Sequence, residues 1–157
     1  VHPLRLRINA AVHAAIMVVR RNRPWTSLGV RTAVFGPDGT VLLVRHSYTP
    51  GWHFPGGGVG RWETAADAAA RELREEAGLA ADGPPRLFGF YANFGTGMSD
   101  HVALYVVDRW SGTPRPDRGE IVEAAFLRLD ALPADVNAGT RRRIAELRDG
   151  TPPAAAW

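Results

Sequence analysis

From Pro55 to Leu79 the chain reads PGGGVGRWETAADAAARELREEAGL, a glycine-rich turn running straight into a segment with the local marks of a helix. Thr64 can cap its N-terminus, Asp67 stands at the reciprocal position and Gly78 supplies a stop, so a helix is expected from Thr64 to Ala77. Each helical residue turns about 100°, which puts Glu75, Glu72 and Glu76 at about −60°, 0° and +40° around the axis, on one face. The chain has only seven glutamates. Gathering three of them costs a few tenths of a kcal/mol per like-charged pair when exposed, and more when partly buried. A divalent cation reverses that cost, and oxygen-only ligands suit Mg²⁺ or Mn²⁺. The plain alternative is a solvated acidic face balanced by arginine, Arg71 to Glu75 and Arg74 near Glu72. The turn tips the balance toward metal, because Pro55-Gly56-Gly57-Gly58 gives a backbone able to approach an anion or to present a carbonyl to a cation.

Around this unit the pattern alternates between strand and helix. Leu4, Ile8, Val12, Ala15 or Ile16, and Val19 recur at helical spacing, so an amphipathic helix is expected over about 3–20, ending before Pro24. Leu28 to Phe35 and Val41 to Arg45 read as strands joined by the turn GPDG. Trp52 to Phe54, Arg86 to Phe94, His101 to Trp110 and Ala124 to Leu129 read as further strands. A last helix is expected from Asn137 or Thr140 to Arg148. The sequence TPPAAAW is expected to be a loose tail over 150–157. No internal repeat or linker breaks the 157 residues, so one domain is expected over 1–157, its core over about 26–149. The class is α+β, a mixed β-sheet between helices.

The formal charge is only +3 and every one of the 19 basic residues is arginine. The runs Arg20-Arg21-Asn22-Arg23 and Arg141-Arg142-Arg143 are narrower than a nucleic-acid footprint, and they are expected at solvated helix ends. The most apolar stretch, Ala10 to Val19, is about half the length that spans a bilayer. Without cysteine there are no disulfides, thiolate metal sites or thiol nucleophiles. A cytoplasmic protein is expected, with a small-molecule nucleotide as partner and neither nucleic acid nor membrane. The N-terminal helix leaves a homodimer open.

The residues Gly57, Glu63, Arg71, Glu72, Leu73, Glu75, Glu76, Gly78 and Leu79 match without a gap the signature G-x5-E-x7-R-E-U-x-E-E-x-G-U, where U is bulky and apolar. On these residues the chain resembles the Nudix hydrolases, and the resemblance covers about residues 28–133. It implies the family's α/β/α sandwich. It also implies Mg²⁺-dependent hydrolysis, with Mn²⁺ a possible substitute, of a diphosphate bond in a nucleoside diphosphate linked to another moiety or in a nucleoside triphosphate. By the same resemblance, Glu72, Glu75 and Glu76 are metal-binding and catalytic, and the Gly56 carbonyl is a backbone ligand. Glu63 and Arg71 are a pair that braces the helix. Glu120, with Glu123 as competitor, matches a downstream acid that reaches the metals from a loop. A non-catalytic nucleotide-sensing module on the same fold is the alternative.

Outside the signature, Arg45 and Arg31 could reach substrate phosphates or a terminal ribose, against ordinary surface ion pairing. Trp62, where many family members carry glycine, could form a wall of the site. Trp52, Tyr48, Tyr91 and Phe94 could stack on a base or belong to the core. His53 and His101 lie in strand contexts without zinc spacing, and packing is the expectation.

Overall fold

A computed structural model describes residues 26–94, 100–116 and 119–157, together with Ala15 and Val18. The helix expected over 3–20 and the run Arg20–Arg23 fall outside these residues, apart from Ala15 and Val18. The elements are β1 (Ser27–Gly36), β2 (Thr40–His46), β3 (Trp52–His53), α1 (Ala65–Ala77), β4 (Leu79–Ala81), β5 (Arg86–Ala92), β6 (Asp100–Val107), β7 (Trp110–Gly112), β8 (Ile121–Arg128) and α2 (Ala138–Asp149). The main sheet runs β3-β2-β1-β6-β5, with β8 paired to β2. It is mixed, since β1 and β6 are parallel while the other pairings are antiparallel. The small sheet of β4 and β7 differs from the sequence reading, in which Trp110 ends the preceding strand and no strand covers Leu79–Ala81.

Strand alternation feeds two cores. Val34, Leu42 and Val44 pack with Leu73 and Ala77 of α1, and Val30 packs on Ala68 and Ala69. Ala33, Val41 and Leu43 turn the other way, toward Ile144 of α2. The sheet is therefore sandwiched between the helices, the α+β arrangement expected. The alanine face of α1 lets the helix lie close to the sheet, where buried Thr32 donates from Oγ1 to the Ala69 carbonyl at 3.1 Å.

β2 pairs with β1 only at the hairpin, Phe35 with Val41 and Gly36 with Thr40. Its apex residues Asp38 and Gly39 both have positive φ, 65° and 66°, as tight hairpin turns require. Farther along β1 that edge is filled by the glycine turn. Val30 N–H donates to Gly57 O at 2.8 Å, Thr32 N–H to Pro55 O at 2.9 Å, and Val59 N–H to Leu28 O at 3.2 Å. The turn is held as a short edge strand, which fixes Gly56 and Gly57 beside α1.

The tail is not loose. Ala92 N–H donates to Ala155 O and Trp157 N–H to Ala92 O, each at 2.9 Å, so the tail completes the outer edge of β5. Arg143, expected at a solvated helix end, is 2% exposed. An edge strand needs backbone partners, and a proline-alanine segment can supply them without any apolar periodicity to announce it. Among the described residues, no helix is long and apolar enough to cross a membrane.

Candidate active site

α1 begins as its caps dictate. Asp67 N–H donates to Thr64 Oγ1 at 3.1 Å, and Gly78, at φ 71°, donates its N–H to Arg74 O. Arg71 lies at the centre of the acidic face. Its Nε and Nη2 grip Glu63 at 2.7 and 3.0 Å. Nη1 donates to Glu72 at 2.8 Å and to Glu75 at 3.0 Å, and Nη2 also reaches the Gly58 carbonyl at 3.1 Å. Glu63 accepts Gly60 N–H as well, at 2.8 Å. The Arg71 hydrogen bonds, helped by Gly60 N–H, hold the Glu63 carboxyl down at about 2. One guanidinium thus ties the loop to the helix and restrains two of the three acids.

Glu72 and Glu76 both lie against the glycine turn. A Cβ added at Gly57 would stand 2.7 Å from Glu72 Cδ and 2.9 Å from Oε2, so only glycine leaves room for that carboxylate. Glu76 is buried and accepts Gly56 N–H on Oε2 at 2.8 Å. His46 Nδ1 lies 3.7 Å from its other oxygen. Burial, with the charges of Glu72 and Glu120 adding to it, pushes the Glu76 carboxyl up to about 7, against the opposing pull of Arg31 and the Gly56 N–H.

Arg31, on the face of β1 turned away from α1, donates through Nη1 to the Gly56 carbonyl at 2.6 Å and to the Phe54 carbonyl at 3.3 Å. Tyr48 belongs to the same neighbourhood. Burial, then the charges of Glu120 and Glu76, raise its hydroxyl to about 12, with Arg31 acting in the opposite sense. Its phenol stays protonated at neutral pH.

Glu120 and Glu123 part company at a bulge. Arg45 faces Glu123 across the β2–β8 ladder but His46 faces Ile121, so Val122 is the extra residue. An extra residue reverses the alternation beyond it. Ile121 is thereby buried against the α1 side, and Glu120, whose carbonyl accepts Ser47 N–H at 2.8 Å, is near enough for its charge to act on Tyr48 and Glu76. Glu123 stays with Arg45 at 3.8 Å. Arg45 also pairs with Asp135 at 3.3 Å and covers the Trp52 ring at 4.7 Å, the surface pairing that was its plain expectation.

His53 Nε2–H donates to the Pro50 carbonyl at 3.0 Å, its ring 5.6 Å from that of His46. Burial and Arg31 lower its pKa. His101 packs between Phe90 and Phe94, and Trp52 and Tyr91 are core residues.

Trp62 is 92% exposed and sits at φ +64°, with Arg61 stacked 5.2 Å over its ring. A bulky residue in that conformation costs roughly 1–2 kcal/mol. Trp62→Gly is therefore expected to keep or raise the melting temperature, since the strain relieved outweighs the extra backbone freedom of the unfolded chain. A loss above about 1 kcal/mol in urea unfolding would contradict this.

Among the described residues no three histidine, aspartate or glutamate side chains are gathered closely enough to hold a metal ion as they stand. Arginine contacts these oxygens: Arg71 holds Glu72 and Glu75, and Arg31 holds the Gly56 carbonyl. The donor set nevertheless fits a hard cation. It is all oxygen, it includes a buried carboxylate whose charge lacks full compensation, and the glycine cradle admits Glu72. Gly57→Ala tests the cradle, because Gly57 has no positive φ and the new methyl meets chiefly Glu72. Displacing that carboxylate by about 1 Å is expected to cost on the order of a hundredfold in rate while the protein stays folded. An active Gly57→Ala protein in a steady-state assay would remove Glu72 from the site.

Comparison with known proteins places the chain. A family model described as the NUDIX domain matches residues 25–147. An RNA pyrophosphohydrolase of Halorhodospira halophila is 50% identical over 46 residues, which are 29% of this chain and 25% of that protein. One of Xanthomonas campestris is 50% identical over 42 residues, 27% of this chain and 20% of that protein. The match thus spans a quarter or less of these curated relatives. Among solved structures, a MutT NUDIX hydrolase from Burkholderia pseudomallei superposes with a TM-score of 0.69 at 26% identity, over 78% of this chain and 98% of that one. A NUDIX hydrolase from Nitrosomonas europaea gives 0.68 at 22% identity, over 82% and 92%, and shares the fold.

Proposed function

The chain belongs to the NUDIX family, and from that premise we propose that it is a pyrophosphohydrolase that cleaves a diphosphate linkage in a nucleotide with the help of Mg²⁺ or Mn²⁺. What supports the reading is that Glu72 and Glu76 both lie against one glycine turn, Glu72 beside Gly57 and Glu76 on the Gly56 N–H, with the charge of Glu120 acting on Glu76 and Tyr48. Gly56, Glu72, Glu76 and Glu120 would hold the cation, with Glu75 joining them from the same helix face. When bound, it would neutralise the charge that spreads over the phosphoryl oxygens and make water a better nucleophile.

The chain's own groups supply the rest. Water attacks one phosphorus in line as the bridging P–O bond breaks, a carboxylate of the set takes the proton from water, and the leaving phosphate departs with the bond pair. Glu63 and Arg71 keep the acidic face in register with the loop, so their loss acts through position. Tyr48, protonated at neutral pH, can donate to a phosphate oxygen. Arg45 and Trp62 are the remaining candidates for substrate contact. Arg45 would first have to leave Asp135, and the exposed Trp62 indole would have to be covered.

The substrate class is a nucleoside diphosphate joined to a second moiety or a nucleoside triphosphate. The curated relatives' name, RNA pyrophosphohydrolase, adds RNA as one arm of the test. A product-resolved screen of nucleoside triphosphates, nucleotide sugars, dinucleotides and 5′-triphosphorylated RNA, with Mg²⁺ or Mn²⁺, is expected to release phosphate or pyrophosphate from at least one class. EDTA is expected to stop the release. Full turnover in excess EDTA would overturn the proposal, and tight binding across the panel without release would favour a nucleotide-sensing module.

A further inference from the structure

Arg31, like Arg71, holds an oxygen that the proposed function needs, and of the two it alone holds the backbone carbonyl of Gly56 in the glycine turn. Its Nη1 holds the Gly56 carbonyl at 2.6 Å and the Phe54 carbonyl at 3.3 Å. A carbonyl oxygen that accepts a guanidinium hydrogen has one lone pair engaged and a positive charge beside it, which makes it a poor ligand for a second cation. The same guanidinium offsets the charge around Glu76 and Tyr48. Nη1 has two hydrogens and two carbonyls to give them to. The three N–H groups of Nη2 and Nε remain as donors, and their planar fork matches two oxygens of a phosphate. Arg31 is also anchored on β1 between the turn and the parallel partner β6, where it pairs in register with Leu104. Its backbone cannot move away, but its side chain can turn.

We infer that Arg31 is a substrate-anchoring residue that is stored on the Gly56 carbonyl and released to the diphosphate of the substrate, so that cation and substrate bind cooperatively. Without a phosphate, freeing Gly56 leaves a half-buried guanidinium unpaired beside an incoming dication, which disfavours the metal. With a diphosphate present, Arg31 exchanges a neutral carbonyl for a charged oxyanion, Gly56 is freed for the cation, and the dication and guanidinium share the phosphate charge. Binding linkage is reciprocal, so each ligand tightens the other by the same factor. The consequence for the reaction is protection: the cation is held firmly only when a substrate is there to use it. This inference rests on the metal-dependent reading above.

Mn²⁺ binding, read by electron paramagnetic resonance or calorimetry, tests it with methylenediphosphonate as a non-hydrolysable diphosphate. Free Mn²⁺ is corrected for what the diphosphonate chelates in solution. In the unmodified protein the diphosphonate is expected to tighten Mn²⁺ on the order of tenfold, within the usual span of coupling between sites. Arg31→Met is expected to bind Mn²⁺ alone more tightly than the unmodified protein and to lose most of the tightening. Arg31→Lys keeps the charge but lacks the fork, and it is expected to fall between the two. It also serves if Arg31→Met does not fold, as judged by circular dichroism. If Arg31→Lys matches the unmodified protein in both quantities, Arg31 contributes charge alone and the anchoring claim fails. Unchanged coupling in Arg31→Met overturns it outright. If the unmodified protein binds no Mn²⁺ with or without the diphosphonate, the metal-dependent reading falls and the inference with it.

Discussion

Exchanging Glu76 for glutamine is expected to cost at least about a thousandfold in turnover, several kcal/mol of transition-state stabilisation, and at the same time to make the metal-free protein more stable at pH 8. The second effect follows from burial. Glu76 is 8% exposed, and its carboxyl is raised from 4.5 to about 7, chiefly by desolvation. The folded state therefore binds this proton more tightly than the unfolded chain. The resulting stability is fully present below about pH 4.5 and is lost as pH rises through about 7. The loss amounts to about 3 kcal/mol in order of magnitude. Glutamine keeps the acceptor for Gly56 N–H but never ionises, so this loss is expected to be absent from the variant, while the gain with rising pH from the lowered His53 pKa is common to both proteins. Urea unfolding in EDTA at pH 5 and pH 8 reads the difference: the unmodified protein is expected to lose stability relative to Glu76→Gln between the two. Saturating Mn²⁺ is expected to restore the unmodified protein at pH 8, by about 2.7 kcal/mol at a hundred times Kd, and to do much less for the variant. No such relative loss would show that Glu76 is better solvated than its surroundings imply. Retained turnover in the variant would take Glu76 out of catalysis altogether.

How much of this was legible before folding depends on how local the determinants are. The caps Thr64 and Gly78, the spacing of Glu72, Glu75 and Glu76, and the turn at Asp38-Gly39 are written in contiguous residues. All of them can be read from propensity and period. The Arg71–Glu63 contact comes from eight residues of separation, and here the family resemblance supplied what spacing alone could not. The rest is set by pairing across the sheet. Nothing in EIVEA says which glutamate turns inward, because the answer lies in a bulge that exists only against β2. Arg31 reads as one more strand arginine until β2 leaves the edge of β1 and the glycine turn takes its place. Arg143 reads as the end of a solvated basic run until the tail folds over it. These residues share one property, that their environment is made by segments distant in the chain.

Arg143 also carries the second large expectation. Its guanidinium is buried, bonded to Glu146 at 2.6 Å and to the Ala156 carbonyl at 2.8 Å. It lies 4.4 Å from the Tyr91 ring centroid and 5.7 Å from that of Trp157. Glu146 in turn accepts Tyr91 O–H at 3.0 Å and Ala154 N–H at 3.1 Å. Burial and the Glu146 carboxylate raise the Tyr91 hydroxyl beyond the usual tyrosine range, so the phenol remains a donor. Arg143→Met removes the cation and leaves the Glu146 charge enclosed, which is expected to destabilise the protein by about 3–5 kcal/mol. Adding Glu146→Gln should return part of that loss, because the stranded charge goes with it. Trimming Thr151–Trp157 uncovers the same cluster and the edge of β5, so its cost and that of Arg143→Met should overlap rather than add. Urea unfolding of the single and combined variants, with hydrogen exchange at Ala92 and Trp157, reads both quantities. Strict additivity would mean that the arginine and the tail act independently, and the clamp would then be two unrelated contacts that happen to touch.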